Sequence, residues 1–352
     1  MPLLLDTARS GSASLELRGP RSITIGFVNN MPDAAIEATE RQFVTLIRAA
    51  ATETVIRLKL FAIPEMPRAD HVREALAERY RDISELWDTR LDGVIVTGAE
   101  PRAASLKDEP YWQTLARLVD WARVNTASAV WSCLAAHAAV LHVDGVERQL
   151  LTEKRFGVFD CEVAAPHPLT KGVRPQPRIP HSRYNDLPEA ALASSGYRII
   201  TRSDAAGADT FVAAEGSQSL FLYFQGHPEY EASTLLREYR RDIGRFLRGE
   251  RERYPAMPHG FFDEEAAALA SAFAARALRA RGEELIADFP TSLLEARLEN
   301  PWQDFAVGIY GNWVDYLVER RAERRAAALE RRSRRRNWPN GAPTVRDRSS
   351  AR

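Results

Sequence analysis

The chain predicts a doubly wound α/β protein, with a mostly parallel sheet and a helical carboxyl-terminal extension. Three observations carry this. Short apolar runs alternate with stretches of helical spacing through the first 150 residues. The first glycine turn, Asp92-Gly-Val-Ile-Val-Thr-Gly98, closes a buried strand pattern. From residue 261 onward the pattern is almost entirely helical.

Residues 22–30 alternate Ile23, Ile25 and Phe27 as a strand, then run into a helical stretch. Residues 55–63 predict a second strand, 69–86 a helix and 111–124 another helix, with Trp112, Leu115, Leu118 and Trp121 three or four apart. The apolar run 128–133 passes straight into the alanine-rich helix former LAAHAAVLHV. Residues 156–163, 197–201, 210–214 and 219–224 predict strands with shorter connections, and 231–248 a charged helix. The organisation expected is a polar lead-in over 1–20, a catalytic α/β domain over 21–250, a helical extension over 251–336 and a disordered tail over 337–352. Within the extension, 319–336 carries nine arginines and three glutamates with no apolar face beyond alanine and one leucine, the pattern of a solvated helix or tail.

Lys plus Arg (48) equals Asp plus Glu (48), so no global field points to nucleic acid or a membrane surface. No run approaches the ~18 apolar residues of a membrane span, and the amino terminus lacks the basic and apolar regions of an export signal. Two cysteines are too few for a disulfide framework and fit a reducing compartment, with the cytoplasm expected.

Cys133 lies where a buried strand becomes a helix, in Ala129-Val-Trp-Ser-Cys-Leu-Ala-Ala-His137. A nucleophile there projects from a tight turn, and the helix amino terminus stabilises a thiolate or an oxyanion. A cysteine in an apolar strand is also commonly a small buried hydrophobe, which is the expectation for Cys161 in Asp160-Cys-Glu. In Phe224-Gln-Gly-His-Pro-Glu-Tyr230, Glu229 can hold one nitrogen of His227 while the other faces a nucleophile, and a base in that position must be neutral to act. Ile179-Pro-His-Ser-Arg-Tyr-Asn185 is expected as a polar loop of the kind that carries binding groups. His137 is expected as a packed helix histidine, and no histidine or cysteine spacing suggests a metal site.

The chain resembles the homoserine O-acyltransferases, a branch of the class I glutamine amidotransferase-like superfamily. The matching pieces are Asn29-Asn-Met-Pro32, Thr39-Glu-Arg-Gln-Phe43, Asp92-Gly-Val-Ile-Val-Thr-Gly-Ala99, Tyr111-Trp112, Cys133, Lys154 with Phe156-Gly-Val-Phe159, Pro180-His-Ser-Arg183, Gly226-His-Pro-Glu-Tyr230 and Glu238-Tyr-Arg-Arg-Asp242. They occur in family order across roughly residues 20 to 250. The resemblance implies a flavodoxin-like core, with Cys133 as acyl-thioester nucleophile, His227 as general base and Glu229 orienting it. It places Lys154, Ser182 and Arg241 at substrate-binding positions, and the oxyanion is expected on the backbone N–H groups of Ala34 and Leu134. Departures from the family pattern are Asp33 and Ala34 in place of lysines, an extra residue before Glu37, Ala135 in place of glycine and His137 in place of glutamine.

In the family, the residue four beyond the glycine of the Thr-Gly turn separates acyl donors: a small residue admits succinyl and a glutamate excludes it. Here it is Arg102, which can pair with succinyl's free carboxylate. The resemblance thus implies succinyl transfer from succinyl-CoA to L-homoserine in methionine biosynthesis, with no permanently bound cofactor, acetyl-CoA as the alternative donor, and a homodimer. A glutamine amidotransferase-like cysteine hydrolase shares the nucleophile and base, but the Met-Pro turn and Arg241 argue against it. The paired nucleophile and base argue against a non-catalytic binding protein whose arginine-rich tail contacts nucleic acid.

Overall fold

The computed structural model describes residues 3–8, 19, 21–213 and 219–336. The expected tail over 337–352, most of the lead-in over 1–20 and Ala214 at the end of an expected strand lie outside the described residues.

The elements in order are β1 (Leu3–Asp6), β2 (Ser22–Val28), α1 (Ile36–Ala50), β3 (Val55–Ala62), α2 (Asp70–Ala77), β4 (Arg81–Asp82), β5 (Gly93–Val96), α3 (Trp112–Asn125), β6 (Ser128–Ser132) and α4 (Leu134–Asp144). They continue as β7 (Gln149–Asp160), β8 (Glu162–Val163), β9 (Arg178–Asp186), α5 (Glu189–Ser194), β10 (Arg198–Ser203), β11 (Gly207–Val212), β12 (Leu220–Phe224), α6 (Thr234–Leu247), α7 (Glu264–Arg279), α8 (Thr291–Glu295) and α9 (Gln303–Arg336).

The main sheet runs β1-β3-β2-β5-β6-β12-β11-β10-β8, with β4 also paired to β3. Its five central strands, β3-β2-β5-β6-β12, are parallel. Counted along the chain among themselves, they stand in the order 2-1-3-4-5 of flavodoxin-like sheets, as expected. Their inner positions are wholly buried because helices cover both faces. Leu115, Leu118 and Val119 of α3 and Ala136 and Val140 of α4 pack on one face. Phe43 and Ile47 of α1 pack on the other, together with Ile309, Trp313 and Leu317 of α9.

The carboxyl-terminal extension is therefore part of the core. A Cβ on Gly93 would stand 2.9 Å from Leu317 Cδ1, so a bare backbone in β5 lets α9 lie close on the sheet. Trp313 is fully buried and its indole donates to Ser128 Oγ at 2.9 Å. The arginine-rich stretch is docked at its start: Arg321 pairs with Asp92, and Arg324 donates to the Thr126 carbonyl at 2.8 Å. Beyond Arg324 the described side chains are mostly exposed, in keeping with the solvated pattern expected of this stretch.

Four further expectations are corrected. The lead-in contains β1, which adds in parallel to the edge of β3, Leu3 opposite Ile56 and Asp6 opposite Lys59. The helix expected over 69–86 ends at Ala77, and Arg81–Asp82 then pairs with the end of β3. The strand expected over 156–163 starts at Gln149 and is split, β7 joining β9 while β8 joins β10 in the main sheet. The polar loop expected at 179–185 is β9 itself, antiparallel to β7 in a separate ribbon. Its strand signal is masked because the polar His181 and Arg183 are buried there, held by ion pairs and hydrogen bonds to Asp209, Asp186 and the Ala206 carbonyl, in place of apolar alternation.

Candidate active site

Cys133 joins β6 to α4 with φ 51° and ψ −114°, the one non-glycine residue with positive φ among those described. Such a conformation costs on the order of 1–3 kcal/mol and persists only when the surroundings enforce it. Here the Cys133 N–H donates to the Phe224 carbonyl at 2.7 Å, anchoring the turn to β12. Gly98 closes over the same turn: a Cβ there would lie 3.1 Å from Leu134 N and 3.3 Å from Ser132 O. The thiol is thus held half-buried at the carboxyl end of a parallel strand, with the free N–H groups of the α4 amino terminus behind it.

His227 follows β12 at the same end of the sheet. Its N–H donates to the Pro180 carbonyl at 2.8 Å, and the preceding Gly226 N–H donates to Asp209 Oδ1 at 3.1 Å. A Cβ at Gly226 would be 2.4 Å from that oxygen, so a side chain there would lift the loop. His227 Nδ1 is 2.8 Å from Glu229 Oε1, which leaves Nε2 as the nitrogen available to the Cys133 side, whose thiol acts electrostatically on the ring. The ring stacks on Tyr230 at 4.3 Å between centroids. Burial alone would lower the histidine's pKa, but Glu229, Cys133 and the hydrogen bonds to both hold it well above the ordinary value. That direction favours the imidazolium form, whereas action as a base requires the neutral ring.

A charged corner adjoins this pair. Lys154 of β7 lies 3.5 Å from Glu238 Oε2 and 3.3 Å from Asp242 Oδ2, over the Phe156 ring at 4.0 Å. Ser182 of β9 donates to Glu238 Oε2, and Tyr230 donates to Glu238 Oε1 at 2.6 Å. Arg241 donates from Nε to Asp242 Oδ1 at 3.1 Å and remains half-exposed. Burial would raise the Glu238 pKa, but Lys154, Ser182 and Tyr230 outweigh it and keep the carboxylate ionised. Lys154, Ser182 and Arg241 therefore converge, and what gathers them is Glu238 and Asp242. Sequence reasoning quoted those two within a motif without giving them a role. Their spacing of four puts them on one face of α6, a signal that was legible.

Leu134 supplies the first N–H of α4, next to the thiol, while Ala34 sits in a short turn after β2 at the same end of the sheet. The Arg102 side chain is exposed, and its backbone N–H is bound to Glu109 Oε1. His137 is a packed histidine, as expected: Gln225 is 3.0 Å from its Nε2, and burial pulls its pKa down to about 3. Cys161 is a buried thiol whose pKa is pushed up by burial and by Asp209. Among the described residues there is no group of three or more His, Cys, Asp or Glu able to hold a metal ion, and no helix long and apolar enough to cross a membrane.

A family model described as homoserine O-succinyltransferase matches residues 13–324. The homoserine O-succinyltransferase of Rhodopseudomonas palustris is 48% identical over 298 residues, covering 85% of this chain and 89% of its own. That of Bradyrhizobium japonicum is 46% identical over 308 residues, covering 86% and 92%. Among solved structures, a glutamine amidotransferase from Methylobacillus flagellatus is similar with a TM-score of 0.46 and 16% identity, covering 84% of this chain and 95% of that one. One from Thermotoga maritima is similar at 0.45 and 11%, covering 84% and 98%. At those scores the fold class rests on the strand order above and not on the likeness. By the family match and by the identity shared with these relatives over most of its length, the chain belongs to the homoserine O-succinyltransferase family of acyltransferases.

Proposed function

We propose that the protein transfers the succinyl group of succinyl-CoA to the hydroxyl of L-homoserine through a thioester on Cys133, a step of methionine biosynthesis. The observation that carries this is the strained strand-to-helix turn that holds Cys133 against a His227–Glu229 pair. The Cys133 sulfur, its proton resident on His227, attacks the thioester carbonyl carbon. The oxyanion forms against the N–H groups of Leu134 and Ala34. As the carbon–sulfur bond to coenzyme A breaks, the imidazolium gives its proton to the departing thiolate. His227 is now neutral and takes the proton of the homoserine hydroxyl, whose oxygen attacks the acyl-thioester. Collapse releases O-succinylhomoserine, and the sulfur and imidazolium return to their starting states.

The charged corner suits a zwitterionic acceptor. Glu238 and Asp242 present negative charge to an ammonium group, while Lys154 and Arg241 present cations to a carboxylate, Arg241 with the fork that matches it. Ser182, hydrogen-bonded to Glu238, fixes that carboxylate from the ribbon side. Arg102 is a candidate for pairing with the donor's distal carboxylate, though exposure screens its charge. The two free thiols support a cytoplasmic setting, and the family resemblance supports a homodimer.

The test is a steady-state assay crossing succinyl-CoA and acetyl-CoA with homoserine and serine. Succinyl-CoA with homoserine is expected to have the highest kcat/KM. Preference for acetyl-CoA would replace the donor assignment, and preference for serine would replace the acceptor.

A further inference from the structure

We propose that Arg148, with the Tyr111 hydroxyl beside it, binds the distal carboxylate of the donor's acyl chain, so that the charge selecting a dicarboxylic acyl group comes from the α4–β7 connection and not from Arg102. This rests on the succinyl-donor reading above.

After α4 the chain turns at Gly145, which is left-handed at φ 70°, and the segment bearing Arg148 meets the loop after Gly98, where Glu147 lies 4.0 Å from Lys107. Its Nη1 is buried and has no hydrogen-bond partner. Two more buried polar atoms without partners accompany it, the Tyr111 hydroxyl and Glu109 Oε2. Tyr111 is 2% exposed and Glu109 4% exposed, so water does not readily satisfy either. A buried guanidinium nitrogen and a buried hydroxyl without partners are costly unless a ligand supplies the acceptor. Burial pulls the Arg148 pKa down, while Tyr111, Glu109, Glu147 and Cys133 all act on it in the other direction, which brings the guanidinium within electrostatic reach of the thiol that would carry the acyl group.

One oxygen of the nearby Glu109 carboxylate is already engaged. Glu109 Oε1 accepts from the N–H groups of both Arg102 and Ala103, so this carboxylate clamps the loop after Gly98. Lys107 reaches Glu147 at 4.0 Å, tying that loop to the segment bearing Arg148. The phosphates of coenzyme A are separated from the thioester by the whole pantetheine arm. A cation that feels the Cys133 sulfur is therefore placed for the acyl chain and not for the nucleotide. Arg102, on the same loop, is exposed.

The experiment compares succinyl-CoA with butyryl-CoA, which has the same chain length and a methyl in place of the carboxylate, in wild type, Arg148→Met, Arg148→Lys and Arg102→Met. The readout is the succinyl-to-butyryl ratio of kcat/KM, alongside Tm. A charge-assisted pair lost from a desolvated site should lower the ratio about 10- to 100-fold in Arg148→Met. Arg148→Lys should restore part of it, since lysine keeps the charge without the fork. Arg102→Met should change the ratio less than about threefold, as an exposed charge does. A wild-type preference for succinyl-CoA that survives Arg148→Met, or a larger fall in Arg102→Met, overturns the inference alone. So does a lowered Tm with the ratio intact, which would make Arg148 a structural partner of Glu109. A wild type with no preference for succinyl-CoA overturns both this inference and the reading beneath it. If Arg148→Met fails to fold, the Arg148→Lys ratio decides, a wild-type value counting against the proposal.

Discussion

At Cys133 the backbone sets the position of the reacting atom: one positive φ, an N–H bonded to Phe224 and a glycine pressed against the turn. At Glu238 the position is set by charge, with Lys154, Ser182 and Tyr230 arriving from β7, β9 and the loop after β12. The first construction is local and rigid, so one substitution there should abolish chemistry. The second is a network whose members share the load, so one substitution should weaken acceptor binding and spare the chemical step. The sharpest test of that contrast is at the nucleophile. Cys133→Ser should lose turnover by roughly 10⁴-fold or more, as nucleophile–base units do, whereas Cys161→Ser should change it little. Comparable losses at both cysteines, read as kcat with succinyl-CoA, would erase the distinction.

The next effect is at the base. His227→Ala should cost about 10²–10⁴-fold in kcat, and Glu229→Gln less, because it keeps the hydrogen bond and loses the charge. The raised His227 pKa also carries a pH signature. The imidazolium form, present below the elevated folded value, is the acid for the departing thiol, so the alkaline limb of kcat/KM for the donor should lie above the ordinary histidine value of about 6.5. By the same sign, the histidine's contribution to folding is complete below its unfolded pKa and is lost as pH rises through the folded one. An alkaline limb at or below 6.5 would contradict the assigned coupling to Glu229 and Cys133.

A smaller effect is expected in the charged corner. Glu238→Gln should raise KM for homoserine about tenfold through loss of charge-assisted hydrogen bonds, with a lesser change in kcat. A fall in kcat alone would move Glu238 into the chemical step. Smallest of all, a chain ending at Arg324 keeps the core contacts that α9 makes with the sheet face among the described residues. Its stability should match the full chain within about 0.5 kcal/mol, read from denaturant unfolding.

The same contrast explains how much was legible in the sequence. Parallel strands announce themselves as apolar runs, so the central sheet and the turn at Cys133 could be read along the chain. The Gly-His-Pro-Glu loop could be read as well, because its partners lie two residues apart. The ribbon could not: β9 is buried through Arg183 on Asp186 and the Ala206 carbonyl, contacts that the linear pattern does not contain. The same holds for α9. Its arginines dominate the composition of its second half, while Trp313 and Leu317, one turn apart, dock it on the sheet. Arg148, Tyr111 and Glu109 are dispersed over 40 positions of sequence and meet only once α4 has turned back.

The most direct measurement incubates the protein with succinyl-CoA in the absence of homoserine, quenches in acid and maps the acyl group by mass spectrometry of the digested chain. The account predicts one succinyl group, on the peptide carrying Cys133, that disappears when homoserine is added before the quench. Succinyl found on Cys161, or product formed at full rate with no acyl group ever trapped on Cys133, would contradict it.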